Sequence, residues 1–462
     1  MKAATGHDER YPPREPHVFI IRALPHTHDG DPAAREAATA EPSRTFCDPQ
    51  GLRGCGSTIG RRRGLPSVAL LHRAVIMIAV VLAGFGIGLI LVVAGYHGWL
   101  VRGARRSVPA DPPCWPRVAV LRPIRGLDPG AAENLEALMT MDYPGELELV
   151  FLLDDDRDPS YVLVEEAIAR HPERAARIAL TGEPPPQRTG KIHKMIVGSE
   201  LVDADVLAFS DSDTRPQRHL LRELVAVMQS DPRCGIAFAP TVAVAHGSSI
   251  GDVGYALLVN AWYGAALDRI SGEHGEVPFA MGQFMAIRKP ALDAIGTMRA
   301  AEGELVDDMF LGRTMREHGF INIVGPTRVP IAIGGMTLAD FVRTFRKWLF
   351  FSHSGLPAGF KRAGWMRAVP GLSAWATIGA GCALGSMAVA MAGAGALATF
   401  VSSQLRLSRG LGGSAVALRH YWLAAALPFL ATGVAASTKL NHEVTWRGRS
   451  YRLDETGRLL RA

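Results

Sequence analysis

From Ala74 to Leu100 the chain carries no Asp, Glu, Lys or Arg, in the order AVIMIAVVLAGFGIGLILVVAGYHGWL. About 20 apolar residues suffice to cross a bilayer as a helix, the one spanning form in which a single segment satisfies its own backbone. The run predicts a transmembrane helix over 74–100, anchored at one interface by Tyr96 and Trp99. It is too long for the apolar core of a cleavable signal peptide. Arg102, Arg105 and Arg106 follow at once, so 103–369 is expected on the cytoplasmic side. Two further apolar stretches, 371–401 and 421–437, predict two more spans. The first reads as one tilted helix or as a helix plus a re-entrant piece. The second contains Pro428, which membrane helices tolerate. Lys439, Arg447, Arg449, Arg452, Arg458 and Arg461 make 439–462 a basic cytoplasmic tail, whereas Arg406, Arg409 and Arg419 before the last span pull the other way.

Ahead of the first span, 1–66 is rich in Pro, Arg, Asp, Glu and His, lacks hydrophobic periodicity and reads as a disordered extension, with Met77 as an alternative start. The cysteines at 47, 55, 114, 234 and 382 form no Cys-x-x-Cys pair, which argues against a zinc site or a disulfide framework. A net charge of +6 without a base-stacking motif or basic repeat argues against nucleic acid and suits anionic lipid and a nucleoside diphosphate. No internal repeat points to a transporter.

Short β-type runs alternate with helical patterns after the Pro-rich linker 107–116. Strands are expected at 118–121, 147–153, 178–180, 206–209, 236–239 and 284–288, and helices at 131–141, 161–169, up to about 229, 251–270 and 309–318. The alternation predicts an α/β fold with a parallel, doubly wound sheet over 115–335. Asp154-Asp155-Asp156 closes the second strand and Asp211-Ser212-Asp213 closes the fourth. Carboxylates at a strand end reach the carboxyl edge of the sheet, where open α/β sheets bind ligands. Two hard oxygens on a short loop suit Mg²⁺ or Mn²⁺ bound together with substrate phosphates. Singly, each cluster also reads as turn or cap chemistry, including Asp307-Asp308 ahead of the helix at 309. Thr337 to Phe351 reads as an amphipathic helix at the membrane interface, within a segment 336–369, or as a helix packed on the domain.

These pieces in order resemble a family 2 glycosyltransferase of the GT-A fold, and more closely the ceramide glucosyltransferases and hopanoid-associated glycosyltransferases. The carrying residues are LRPIRGLDPGAAENLEALMTMDYP (121–144), LLDDDRDP (152–159), SDSDT (210–214), VDDMFLGRTMREHGF (306–320) and VTWRGRSYRL (444–453). The resemblance covers about 115–355, and the layout of the spans matches too. It implies an inverting, membrane-bound enzyme that moves a sugar from a UDP-sugar, UDP-glucose foremost, to a lipid acceptor such as ceramide. It implies roles as well: Asp154 and Asp155 at uracil and ribose, Lys194 near the diphosphate, Asp211 at sugar or ribose, Asp213 on Mg²⁺ or Mn²⁺, Asp307 at substrate, and Asp308 as general base. Two departures stand out. Asp307 replaces the more usual Glu. Thr344-Phe345-Arg346-Lys347-Trp348 stands where (Gln/Arg)-x-x-Arg-Trp is usual, leaving Arg346, Lys347 and Trp348 as candidate substrate contacts. Rival readings are a hopanoid N-acetylglucosaminyltransferase, a processive polysaccharide synthase and a non-catalytic sugar-nucleotide binder. The synthase would need the complete motif and more spans. A P-loop at Gly190-Lys191 is excluded by its spacing.

Overall fold

The computed structural model describes residues 68–103, 106–245, 247–272, 275–356, 366–440, 442–454 and 458–460. The extension 1–66 lies outside them. After α1 (Val68–Val101) come β1 (Val118–Pro123), α2 (Ala131–Met139), β2 (Leu147–Leu153), α3 (Tyr161–Arg170), β3 (Ala175–Leu180), α4 (Gly190–Glu200), β4 (Val206–Ser210), α5 (Leu220–Ser230) and β5 (Cys234–Phe238). Next are β6 (Thr241–Ala245), then α6 (Ile250–Ala256), which runs through a π-helical stretch, Leu257–Gly264, into α7 (Ala265–Ser271). β7 (Glu276–Val277), β8 (Phe284–Arg288), α8 (Lys289–Ala294), α9 (Asp307–Glu317), β9 (Ile321–Val324) and β10 (Val329–Ile333) complete the α/β domain.

Among the described residues eight strands form one sheet in the order β3-β2-β1-β4-β8-β5-β9-β7. β1, β2, β3 and β4 are parallel, and so are β5 and β9. β8 runs antiparallel between β4 and β5, and β7 antiparallel on β9. Two strands thus depart from the parallel expectation: the chain reaches β8 through β6, the α6–α7 helical run and β7, a route that brings it into the sheet from the opposite end. Both faces are covered. Phe151, Leu138 and Leu224 are buried on one side, and Leu121, Met195 and Phe209 on the other. Strands buried on both faces read as continuous apolar runs, as β1, β2 and β4 do. β6 and β10 form a separate parallel pair, tied to the end of β4 by a bridge between Thr214 and Ile331.

α10 (Leu338–Gly355) starts at a capping box, in which Thr337 and Asp340 exchange side-chain and backbone hydrogen bonds. Part of its apolar face packs on the protein, as the second of the two readings expected. Phe341 and Phe345 are buried, and a Cβ on Gly254 of α6 would come within 2.7 Å of the Phe341 ring. The missing side chain lets the two helices close on each other.

The apolar region after it also differs from expectation. The stretch 371–401 is two helices, α11 (Val369–Ala383) and α12 (Met387–Gly410), broken at Gly385 with φ +62°. α11 folds back on α12 because small residues face each other: a Cβ on Gly381 would stand 2.3 Å from the Ala390 amide nitrogen. By length and composition three helices suffice to cross a membrane, Leu70–Val101, Met387–Gly410 and Leu418–Leu440. The second candidate is therefore 387–410 and not 371–401. α12 runs alongside α1, with Gly86 against Ala392 and His97 Nδ1 2.9 Å from Ser403 Oγ. It ends on the α/β domain, where Ser414 donates to the Ala245 carbonyl at 3.1 Å.

α13 (Tyr421–Leu440) starts beside Arg419, which donates to Ser248 at 2.9 Å, and ends beside Glu443, whose carbonyl accepts from Arg346 at 2.8 Å. Its N-terminal end thus adjoins the α/β domain, its C-terminal end adjoins α10, and it packs along α10. The residues after it are not a loose tail. β11 (Glu443–Trp446) and β12 (Arg449–Arg452) form an antiparallel hairpin against the same domain.

Candidate active site

The end of β4 is held by an arginine. Arg122, on β1, is fully buried. Its Nη2 donates to the carbonyls of Asp211 (2.9 Å), Ser212 (3.3 Å) and Thr214 (2.6 Å), and Nη1 to that of Asn134 (2.8 Å). Burial lowers its pKa to about 10, so it stays charged at neutral pH and fixes the Asp211–Thr214 turn from below. The backbone N–H of Asp211 donates to the Gln283 carbonyl on the approach to β8 at 2.9 Å, and the Asp213 carbonyl accepts from Ala332 on β10 at 2.9 Å. The turn is therefore preorganised by three strands.

Lys191, in the first turn of α4, reaches across to this turn. Its Nζ lies 2.8 Å from Asp211 Oδ1 and 3.2 Å from Asp307 Oδ2. Burial works against its charge, but Asp211, Asp307 and Asp308 outweigh burial and raise its pKa. Asp307 and Asp308 open α9. Burial raises the pKa of Asp307, against the pull of Lys191. Asp308 Oδ2 accepts from the Gly282 N–H at 2.5 Å, and Oδ1 from the Met309 N–H at 2.7 Å. Burial, then the Asp307 charge, push Asp308 up to about 7. The N-cap of α9 is Val306, so Asp308 is not placed there as a cap. Burial and the neighbours Asp211 and Asp128 push Asp213 up to about 7 as well. Its Oδ1 is buried and meets no hydrogen-bond partner among the described residues.

Lys191, Asp211, Asp213, Asp307 and Asp308 line one end of a cavity of about 610 Å³. The other arm is mostly apolar, with Tyr255 from α6, Trp262 and Tyr263 from the π-helical segment, Trp348 from α10, and Ala431 and Ala435 from α13, and with Arg367 over the Tyr263 ring. π-helical insertions recur at functional sites. This one is pinned by Asn260, whose amide brackets the Ala243 N–H (2.8 Å) and carbonyl (3.0 Å). Trp348 packs on Tyr255 and Tyr263 at ring-centroid distances of 5.9 and 5.6 Å. Lys347 sits at the junction of the two arms. Burial lowers its pKa to about 8, and its ammonium lies over the Phe351 and Trp446 rings.

The cavity brings together Lys194, Asp211, Asp213, Asp307, Asp308, Lys347 and Trp348 of the expected residues. Asp154, Asp155 and Arg346 do not line it. Asp154 lies behind the wall, ion-paired with Lys194 and with Arg125 at 2.8 Å. Asp155 is turned to the Arg157 N–H at 2.8 Å. Arg346 holds the start of β11 and lies over the Phe350 ring. Residues that the sequence reading passed over are Lys191, set aside with the P-loop, and Arg122, Asp128, Arg447 and Arg449. The last four lie in segments that carried the family resemblance, so their signal was there without a place in space.

The donor set fits a divalent cation. Among the described residues no cluster of three or more His, Cys, Asp or Glu forms a closed metal cage. A hard cation that takes one or two carboxylates and completes its shell with phosphates and water needs no such cage. The unpartnered Oδ1 of Asp213, with Asp211 one residue from it, meets that need.

Comparison with known proteins places this architecture. Ceramide glucosyltransferase 1 of Caenorhabditis elegans is 23% identical over 241 residues, 51% of this chain and 50% of that one. The ceramide glucosyltransferase of Candida albicans is 29% identical over 119 residues, 23% of this chain and 22% of that one. The chain thus matches half or less of the length of these curated relatives. A solved mannosyltransferase from Pyrobaculum calidifontis, in complex with GDP-Man and Mn²⁺, overlaps 79% of this chain and 99% of its own, with a TM-score of 0.43 and 20% identity. Residues 77–459 match the model of glycosyl transferase family 21, a match that runs from α1 through the C-terminal hairpin, and the chain belongs to that family.

Proposed function

We propose that this protein transfers a sugar, glucose from UDP-glucose foremost, to the hydroxyl of a membrane lipid such as ceramide, with inversion at the anomeric carbon. One observation carries the reading: a single cavity is lined both by Asp211, Asp213, Asp307 and Asp308 and by aromatic and small apolar side chains of α6, the π-helical segment, α10 and α13. A nucleoside diphosphate suits the first end and a lipid the second. The relatives named above as ceramide glucosyltransferases support the same acceptor class.

Asp308 acts as the base. An acceptor hydroxyl attacks the anomeric carbon only as its proton leaves, and a carboxylate titrating near neutrality is suited to take it. The Gly282 and Met309 N–H groups orient both of its oxygens. With one base and no covalent carboxylate intermediate, a single displacement inverts the configuration. Asp213, with Asp211, would hold Mg²⁺ or Mn²⁺, which when bound neutralises the donor diphosphate. Lys194 faces the donor side of the cavity, with Asp154 behind it. Trp348, Tyr255 and Tyr263 shape the acceptor arm and exclude water. The site is assigned to the cytoplasmic side, where the basic hairpin and Arg102 and Arg106 also lie.

Lipid mass spectrometry of a host with and without the gene tests the reading. A new species heavier than a host sphingolipid by one hexose is expected. An unchanged lipid profile, with no UDP-sugar turnover by the purified protein, would sink it.

A further inference from the structure

The hairpin of β11 and β12 turns at Arg447-Gly448, with φ +50° and +77°. Positive φ at both central residues is the two-residue turn that fits hairpin twist, and Asn-Gly is its favoured sequence. An arginine in the first place is disfavoured by its Cβ, yet here it lines the cavity. Its Nη2 donates to Asp128 Oδ1 at 2.7 Å, and the other Asp128 oxygen accepts from Ser212 Oγ at 2.5 Å. Ser212 is the middle residue of the Asp211–Asp213 turn, so the hairpin tip is tied to it. Arg449 also lines the cavity and reaches the start of α4, where a Cβ on Gly190 would stand 2.7 Å from its Nη1. Nη2 is ion-paired with Glu183 and lies 3.7 Å from Asp154. Nη1 is buried and meets no hydrogen-bond acceptor among the described residues. A buried guanidinium N–H without an acceptor is costly, and a ligand oxygen would relieve it.

We propose that Arg447 and Arg449 of the C-terminal hairpin bind the diphosphate of the donor and take up the charge of the leaving group. The inference rests on the nucleoside-diphosphate donor of the proposed function. When the bond between the anomeric carbon and the phosphate oxygen breaks, that oxygen keeps the electron pair. The acceptor proton passes to Asp308, and the added negative charge leaves with the nucleoside diphosphate. A guanidinium fork meets two phosphate oxygens at once, which a lysine point charge does not. Lys347 on α10 supplies only the latter. The hairpin closes over the start of α4 and the Asp211–Asp213 turn together, so its two arginines span the edge at which the diphosphate would sit.

Full-length protein in detergent micelles is titrated with UDP, GDP, uridine and guanosine in the presence of Mn²⁺. Wild type is expected to select one nucleoside diphosphate. Arg447→Gln and Arg449→Gln are each expected to weaken it by about ten- to a hundredfold, the usual worth of a hydrogen bond to a charged group, and to leave the matching nucleoside unchanged. Arg449→Lys is expected to recover part of the loss. Unchanged diphosphate affinity in both glutamine variants would overturn the inference. So would an equal loss for diphosphate and nucleoside, which would make the hairpin merely structural. A wild type that binds neither diphosphate would overturn the donor reading itself.

Discussion

Replacing Lys191 by methionine removes the cation between Asp211 and Asp307 and keeps most of the side-chain volume. The effect on the base follows from the geometry. A Cβ on Gly282 would stand 3.0 Å from Asp308 Oδ2 and 3.1 Å from Lys191 Nζ, so these charges lie no further apart than about 6 Å. At an effective dielectric of ~20, unit charges ~6 Å apart interact by about 2.8 kcal/mol, roughly two pKa units. Asp307 and Asp211 share the lysine, so an upward shift of about one to two units is expected for Asp308. The sign is fixed. Lys191 favours the ionised form of Asp308, so its loss raises a pKa that already stands at about 7. A base works only when deprotonated, and the acidic limb of the kcat/KM profile must move to higher pH.

Transfer from UDP-glucose to ceramide in mixed micelles, followed from acid through alkaline pH, reads this directly. Half of the wild-type base is ionised at neutral pH, so there Lys191→Met is expected to lose about five- to fiftyfold in rate, and to recover much of it in alkali. A loss of the same size at every pH, with the limb where wild type has it, would refute the reasoning. It would mean that Lys191 acts on donor binding or on stability and not on the base.

Three further outcomes are expected. Asp308→Asn keeps the size and hydrogen-bonding capacity of the side chain but loses the basic oxygen, so kcat should fall on the order of 10²–10⁴-fold while UDP binding measured by calorimetry stays intact; near-wild-type turnover would remove Asp308 as the base. Asp213→Ala deletes the unpartnered oxygen and should abolish the Mn²⁺ dependence of UDP binding, whereas wild-type activity that survives thorough chelation would sink the metal assignment. Reporter fusions at 200 and 450 should report one and the same side of the membrane, because the C-terminal hairpin packs on the α/β domain; opposite sides would contradict the structure.

The sheet was legible in the sequence because β1, β2 and β4 are buried on both faces and so read as unbroken apolar runs. The acidic groups were legible because carboxylates at strand ends leave a local mark. What was not legible depends on partners distant in sequence. β8 reads as a strand, but its direction is set by the route of the chain into the sheet. Lys191 carries no spacing signal, and its role appears only when α4 sets it between Asp211 and Asp307. Asp155 and Lys194 look equivalent as motif members, yet the fold turns Asp155 to its own loop and Lys194 into the cavity. Arg346 sits next to Lys347 in the same motif, and one helical step sends it to the Glu443 carbonyl.

The membrane segments carry the same lesson further. Hydropathy measures what a helix avoids and not what it meets, so 421–437 scores as a span whether its neighbours are lipid or protein. In the structure α13 lies between a contact with Ser248 at one end and with Arg346 of α10 at the other, and its small residues Ala431 and Ala435 line the cavity. Small residues there leave room, where leucines would fill the arm. α10 supplies further lining with Phe345 and Trp348, and its ion pair of Arg343 with Asp340 stands at the exposed edge of the same cavity. In the proposed reaction, an apolar helix laid beside the acidic centre would give a lipid's chains an apolar wall while its hydroxyl reaches Asp308. A sequence long and apolar enough to cross a membrane thus also lines the cavity that holds the carboxylates, so one helix serves as a span and as a wall of the proposed acceptor site.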